Sequence, residues 1–371
     1  MAAARDSWNR RVSSGRNSGH TRFPWSFGDQ MRTAILPTHT LALFDAAVQQ
    51  AADWLRRGAV VALPTETVYG LAANALDPVA VAKLYELKGR PAHNPIIVHV
   101  AGLELAQQCV TAWPGSAAQL AHQFWPGPLT LVLPRSRQIP DIVTAGGPTV
   151  GVRWPDHPLM QAVIRACGFP LAAPSANPAN LVSPTTAEHV HKQFAGRLPL
   201  IVDGGAAGVG IESTVVDLTT LPWRVLRPGM ISEEAIRAVG HPPSAPAADA
   251  SGAASEHRGL RSPGQLPKHY APKARLLVRT WHDTADLHQQ LGALPFPRAK
   301  IQVIAHTRIP SDAGLAGVSV IPVDAAAYAR AIYAELHRCD AAGVALIIVE
   351  ALPAGPEWRG IVDRLNRAAS D

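Results

Sequence analysis

The feature that most constrains this chain is a rhythm. Short apolar runs alternate with amphipathic stretches from residue 33 to about 240, stop, and resume from Leu276. Runs at 60–63, 96–98, 129–133, 171–173, 200–202 and 213–216 have strand length and are rich in Val, Ile and Leu. Apolar on both faces, they predict an α/β domain with a largely buried, mixed sheet. Helical patterns fall at 41–57, 77–88, 116–125, 157–167, 185–195 and 232–239. Asp77-Pro78 supplies an N-cap with proline at the first helical position. Thr185 with Glu188 fits a capping box. The interruption at 241–262 is rich in Pro, Ala, Ser and Gly and reads as a flexible linker. Beyond it, strands near 276–279, 301–305, 318–323 and 344–350, with helices near 325–340 and 356–369, predict a small Rossmann-like module. That module has no Gly-x-Gly-x-x-Gly fingerprint and reads as a scaffold or lid without chemistry of its own.

At 371 residues, two domains are expected. Charge decides little about partners, because the net +6 is unevenly placed. Residues 1–32 hold six arginines against Asp6 and Asp29, leaving 28 basic and 26 acidic residues in the rest. The body is nearly neutral, so a basic patch must be local. The Arg-, Ser- and Gly-rich amino-terminal segment predicts disorder. It faintly resembles a transit peptide, but an over-extended start with Met31 as the working initiator is the preferred reading. Cys109, Cys167 and Cys339 stand far apart, giving neither a zinc pattern nor a disulfide framework, as suits a reducing cytosol. No apolar run approaches the ~20 residues of a membrane span.

The motifs lie at strand ends. Gly-x4-Gly-Lys-Ser/Thr does not occur, which excludes a P-loop, and the glycines of 203–210 read as a turn. In Lys88-Gly89-Arg90-Pro91, Gly89 ends the helix begun at Asp77. The two cations there are either a solvated helix end favoured by the macrodipole or a clamp for phosphate. Pro91 and Asn94-Pro95 make the exit rigid and favour the clamp. Even spacing puts Thr149, Gly151 and Arg153 on one strand face. A buried arginine there needs an anion, either Asp156 or a substrate carboxylate. Ser175-Ala176-Asn177 precedes Pro178 on an expected exposed loop, as a simple turn or a ligand loop. His99, ending a strand, has a core role as its commoner reading, and Thr67 and Tyr69 read as strand terminators. Glu212-Ser213-Thr214 and Arg227-Pro228-Gly229 repeat the theme of hydroxyls, then a cation.

In order, Pro64-Thr65-Glu66-Thr67-Val68-Tyr69-Gly70-Leu71, Lys88-Gly89-Arg90-Pro91, Asn94-Pro95-Ile96-Ile97-Val98-His99, Pro126-Gly127-Pro128-Leu129-Thr130, Ala173-Pro174-Ser175-Ala176-Asn177, the 212–217 stretch and Arg227-Pro228-Gly229 resemble the Sua5/YrdC/YwlC threonylcarbamoyl-AMP synthases in their long form. The resemblance implies a YrdC-like twisted open mixed sheet over 33–240, a linker or lid over 241–275 and a Sua5-type domain over 276–371. It also implies the reaction of L-threonine, bicarbonate and ATP to threonylcarbamoyl-AMP and pyrophosphate, with Mg2+ brought by ATP and no protein metal site. The product feeds N6-threonylcarbamoylation of adenosine 37 in tRNA. By carry-over, Thr67, His99, Arg153, Ala173 (through its backbone) and Ser213 hold threonine. Lys88, Arg90, Asn94, Thr149, Ser175, Ser183 and Arg227 hold ATP, Tyr270 closes over the nucleotide, and Lys88 and Arg90 neutralise phosphate charge during reaction. Implied partners are the cytoplasmic tRNA threonylcarbamoyltransferase machinery, with room for a weak tRNA contact. Gln265 stands where the family more often has methionine, and Trp154 where a smaller residue is usual. Two rivals are weaker. An RNA-binding module of the same fold conflicts with the neutral body, and a hydrogenase-maturation carbamoyltransferase conflicts with the lack of cysteine pairs.

Overall fold

The computed structural model describes residues 32–239, 269–312 and 314–370. The basic extension over 1–31 with Met31, and the expected linker from 241 through Gln265 to 268, lie outside the described residues. No helix among those described is long and apolar enough to cross a membrane.

Ten strands form the first sheet: β1 (Ala34–Pro37), β2 (Val61–Leu63), β3 (Gly70–Asn74), β4 (Val98–His99), β5 (Leu129–Pro134), β6 (Thr149–Arg153), β7 (Leu171–Ala172), β8 (Leu200–Asp203), β9 (Thr214–Asp217) and β10 (Arg224–Arg227). Their spatial order is β1-β8-β2-β3-β7-β4-β6-β5-β9-β10, with parallel and antiparallel pairs mixed, as the two-sided apolar runs required. Helices α1 (Leu41–Arg56), α2 (Pro78–Lys88), α3 (Leu103–Gln108), α4 (Gly115–Phe124), α5 (Pro158–Cys167), α6 (Ala187–Phe194) and α7 (Glu233–Val239) accompany it. One core gathers Leu71, Leu84, Val98, Leu131 and Val152, among others. The other packs Ala47, Ala51 and Leu55 of α1 and Leu159 and Val163 of α5 against β2 and β8. Trp154 packs against the first.

The second sheet is wholly parallel, in the order β11 (Arg275–Arg279), β14 (Leu346–Glu350), β12 (Ile301–Ala305), β13 (Gly317–Val320). It carries α8 (Thr284–Gly292), α9 (Ala325–Ala341) and α10 (Arg359–Ala369). The seam between the sheets is apolar, for Val68, Val182 and Ile211 share a cluster with Tyr328, Ala329, Tyr333 and Ile361. It is also tight. A Cβ on Gly210 would lie 2.2 Å from the Ala329 carbonyl oxygen, and one on Gly360 would lie 2.7 Å from that of Gly229.

Local physics places the motif loops. Asp77 accepts from the Val79 N–H, Pro78 sits at the first turn, and Gly89 closes α2 with φ +59°, a left-handed turn that costs glycine nothing. This delivers Lys88 and Arg90 to the sheet edge. Three local expectations differ from the structure. The α6 cap is Thr186, whose hydroxyl accepts from His189 N–H, while Thr185 faces the His189 ring instead. The loop of Ser175-Ala176-Asn177 is not exposed: Ala176 and Asn177 are buried, because Gly70 and Ser175 bridge across it. The anion beside Arg153 is Glu66, not Asp156.

Candidate active site

Register sets the first part of the site. Parallel pairing of β4 and β6 places His99 beside Arg153, and β7 on the other flank of β4 brings in Ala173. The Thr65–Gly70 turn closes one side, since Thr65 Oγ1 accepts the N–H groups of Thr67 and Val68 and bonds the Thr67 hydroxyl at 2.8 Å. A cavity results, lined by Thr67, Arg90, His99, Arg153, Ala173, Ser175, Glu212, Arg227, His269 and Tyr270 among others. A smaller one shares Ile96 and Ile97 with it and is lined by Thr130, Thr144, Thr149 and Gly151. Arg153 thus faces the first cavity and Thr149 the second, in line along one strand.

Eight expected positions therefore meet on one wall system, namely Thr67, Arg90, His99, Arg153, Ala173, Ser175, Arg227 and Tyr270. Thr149 lies in the adjoining cavity. Lys88, Asn94, Ser183 and Ser213 are not in contact with the large cavity but stand behind its lining. Lys88 Nζ donates to the carbonyl oxygens of Ser175 and Asn177 and to Asn177 Oδ1, so its three protons fasten the Ser175 loop to α2. Asn94 Oδ1 accepts from Arg90 Nη2, the Ser183 hydroxyl donates to Glu212 Oε1, and Ser213 Oγ accepts from Arg227 Nη2.

The three lining arginines share one arrangement. Arg90 gives Nε to Asn94 O and Nη2 to Asn94 Oδ1 and Pro95 O. Arg153 gives Nε to Gly127 O and Nη2 to Thr67 Oγ1, with Glu66 Oε1 2.7 Å away. Arg227 gives Nε to Ser213 O and Nη2 to Ser213 Oγ. In each case Nη1 donates to no described residue. A guanidinium gripped from behind and left with one amino group on a cavity is preorganised for an anion.

Electrostatics follow from burial. His99 is held to about 3, first by burial and then by Arg153, so its ring is neutral at physiological pH. Its Nδ1 is buried and unpaired, able to serve a ligand. Burial pulls Arg90 down to about 10, which leaves it charged. Lys88 is pushed well below its ordinary range by burial and then by Arg90. Burial pushes Glu212 up, but Arg364, Arg227 and Ser183 together outweigh it and hold the carboxyl near 2.

Sequence reasoning missed the second module's share. Glu212 Oε2 accepts from Tyr333 Oη at 3.1 Å and from Arg364 Nε at 2.7 Å. Arg364 Cζ lies 5.1 Å from the Tyr270 ring centroid, and Tyr270 stacks on Tyr333 at 6.2 Å. The signal was present: Gly360, Ile361, Arg364, Leu365 and Ala368 form the buried stripe of α10, and an arginine on an apolar stripe implies a buried partner.

The comparisons with known proteins agree with this architecture. The family model described as "Telomere recombination" (Sua5_yciO_yrdC) matches residues 53–229, and "Threonylcarbamoyl-AMP synthase, C-terminal domain" matches 231–370. Threonylcarbamoyl-AMP synthase of Bacillus subtilis is 40% identical, over 90% of this chain and 95% of the relative. That of Pyrococcus abyssi is 37% identical, over 87% and 94%. The crystal structure of P. abyssi Sua5 complexed with L-threonine superposes with a TM-score of 0.79 at 35% identity, covering 91% of this chain and 98% of that one. With both family models matched and nearly the full length of these relatives covered, the chain belongs to the Sua5/YrdC/YwlC family of threonylcarbamoyl-AMP synthases in its long form.

Proposed function

We propose that the chain is an L-threonylcarbamoyladenylate synthase, a nucleotidyltransferase joining L-threonine, bicarbonate and ATP. The observation that carries this reading is the set of three arginines fixed through Nε and Nη2 around one cavity, Nη1 uncommitted in each. Threonine occupies the end built from Thr67, His99, Arg153 and Ala173, its carboxylate on Arg153. The triphosphate lies along Arg90, Ser175 and Arg227, with the base toward the smaller cavity at Thr149. Lys88, Asn94, Ser183 and Ser213 act through the groups they fasten. Tyr270 covers the junction.

The chemistry asks for placement. Threonine's amine adds to the carbon of bicarbonate with loss of water, giving a carbamate. A carbamate oxygen then attacks the α-phosphorus, the bond to the bridging oxygen breaks, and pyrophosphate leaves with the electron pair. Preorganised donors that meet charge as it shifts onto the leaving group are the main contribution a protein can make here. Arg90 and Arg227 are suited to that, and neutral His99 competes with Arg153 for neither charge nor proton.

Mg2+ enters with ATP, to neutralise phosphate charge. Glu212, the carboxylate lining the cavity, is engaged by Ser183, Tyr333 and Arg364, and no cluster of three or more His, Cys, Asp or Glu able to hold a metal occurs among the described residues. A reading as an RNA-binding module of this fold finds no support, because Lys88, Arg153 and Arg227 are each 4% exposed and phosphate backbones need accessible cations. The labile product passes, in the cytoplasm, to the machinery that modifies tRNA adenosine 37. The test is pyrophosphate release from ATP with each co-substrate omitted in turn. Release that needs both threonine and bicarbonate is expected, and release indifferent to threonine would refute the reading.

A further inference from the structure

Glu212 poses a problem for a site that takes a polyanion. Its carboxylate lines the cavity alongside Arg90 and Arg227, where an unneutralised negative charge would repel a triphosphate. The neutralising group comes from the other module. Arg364, 1% exposed on α10, gives Nε to Glu212 Oε2 at 2.7 Å and Nη2 to the Glu212 carbonyl at 3.2 Å. Its Nη1 reaches the Pro228 carbonyl at 2.9 Å and Asp363 Oδ2 at 2.7 Å.

Two contrasts define what this residue does. Unlike Arg90, Arg153 and Arg227, Arg364 has Nε, Nη1 and Nη2 all engaged with protein, and it does not line the cavity. It therefore has no nitrogen to offer a ligand. Its two main anchors are also placed with consequence. Glu212 precedes Ser213 and Pro228 follows Arg227, and Ser213 is the residue that grips Arg227 through its carbonyl and hydroxyl. One guanidinium thus spans both strands of the β9–β10 hairpin at the point where its cation faces the cavity. Tyr333 adds a second donor to the same Glu212 oxygen, and both side chains back the ring of Tyr270.

We infer that Arg364, assisted by Tyr333, is a positioning residue for the nucleotide end of the site, supplied by the C-terminal module: it cancels the charge of Glu212 and sets the spacing of the Ser213–Arg227 pair. The second module is then part of the adenylating site and not a scaffold beside it. This rests on the reading that the Arg90–Arg227 end takes the triphosphate.

The test uses the full-length chain and measures pyrophosphate release as ATP and threonine are varied separately. Arg364→Met leaves the buried Glu212 carboxylate with the Ser183 and Tyr333 hydroxyls but without its ion-pair partner, and is expected to raise the KM for ATP about tenfold or more while that for threonine moves less than about twofold. Adding Glu212→Gln to it removes the orphaned charge and is expected to recover most of that loss. The double variant also keeps the test valid if the single one unfolds, since it buries no unpaired ion. Tyr333→Phe should raise the KM for ATP about two- to threefold. Equal effects on both substrates, or a double variant no better than Arg364→Met and far from wild type in ATP affinity, would overturn the inference while a wild type active with threonine leaves the underlying reading standing. A wild type that releases no pyrophosphate would overturn the underlying reading itself.

Discussion

The two ends of the cavity balance their charge differently. At the Arg153 end the counter-ion is local: Glu66, next to Thr67 in the same turn, sits 2.7 Å from the guanidinium. At the Arg90–Arg227 end, Asn94, Pro95 and Ser213 hold the cations through neutral oxygens, and the nearby carboxylate, Glu212, is claimed by Arg364 from another module. The first end is close to neutral and suits a zwitterion such as an amino acid. The second keeps an excess of positive charge and suits a polyanion. The proposed order of substrates along the cavity rests on where the counter-charges are kept.

The sharpest way to break this contrast is Arg90→Ala. It should lower kcat/KM for ATP by about 100-fold or more, with threonine binding by calorimetry little changed, because a preorganised donor to shifting charge is lost. Equal loss at both ends would erase the distinction. Next comes Arg153→Ala, expected to raise the KM for threonine by tens of fold and to cost roughly 3 kcal/mol of stability by leaving Glu66 buried without its cation. Adding Glu66→Gln should restore the melting temperature but not threonine affinity, and recovery of both would mean that the pair is structural only.

A smaller effect tests the seam that delivers Arg364. His189 of α6 and His337 of α9 stack there with ring centroids 3.9 Å apart, and His337 Nε2 meets the Ser183 carbonyl at 3.1 Å. Thr185, Glu188 and Lys192 are the other polar groups that bear on the pair. Burial, then His337 and Lys192, hold His189 near 4, below its ordinary 6.5, and burial likewise lowers His337. The folded chain therefore binds fewer protons than the unfolded one between those values. This part of its stability is complete above about 6.5 and is lost as pH falls toward 4. His337→Gln, which can still donate to Ser183, should flatten the fall in melting temperature over that window, and an unchanged profile would show that the seam does not titrate. Smallest is Thr149→Ala in the adjoining cavity, expected to raise the KM for ATP severalfold and leave that for threonine alone.

The sequence made one end of this comparison far more legible than the other. Residues of the large cavity lie in compact motifs whose site roles come from the family resemblance; strand periodicity and the Asp77–Gly89 signals locate the strand ends and the turn but leave core or turn roles open for Thr67, His99 and Ser175. Elements without such contrast escaped. β3 reads Gly-Leu-Ala-Ala-Asn, with no β-branched residue, and β10 is charged at both ends. α3 and α8 are short, although Asp283, accepting from the Asp286 N–H, marks the start of α8. The sequence leaves the anion beside Arg153 open between a carboxylate such as Asp156 and a substrate, because a turn that folds Glu66 back leaves no periodic trace. Arg364 was hidden by distance, since no local pattern links residue 364 to residue 212. Lys88 is expected on the nucleotide, and no local pattern foretells that its Nζ donates to the Ser175 and Asn177 carbonyls.

The glycines of the seam carry a consequence for engineering. Where Gly210 meets Ala329, and Gly229 meets Gly360, main chain lies directly on main chain with no side chain between to absorb change. A joint of that kind has no slack to be retuned by degrees. Grafting the C-terminal module onto a foreign partner would therefore demand matching backbone shape at both points.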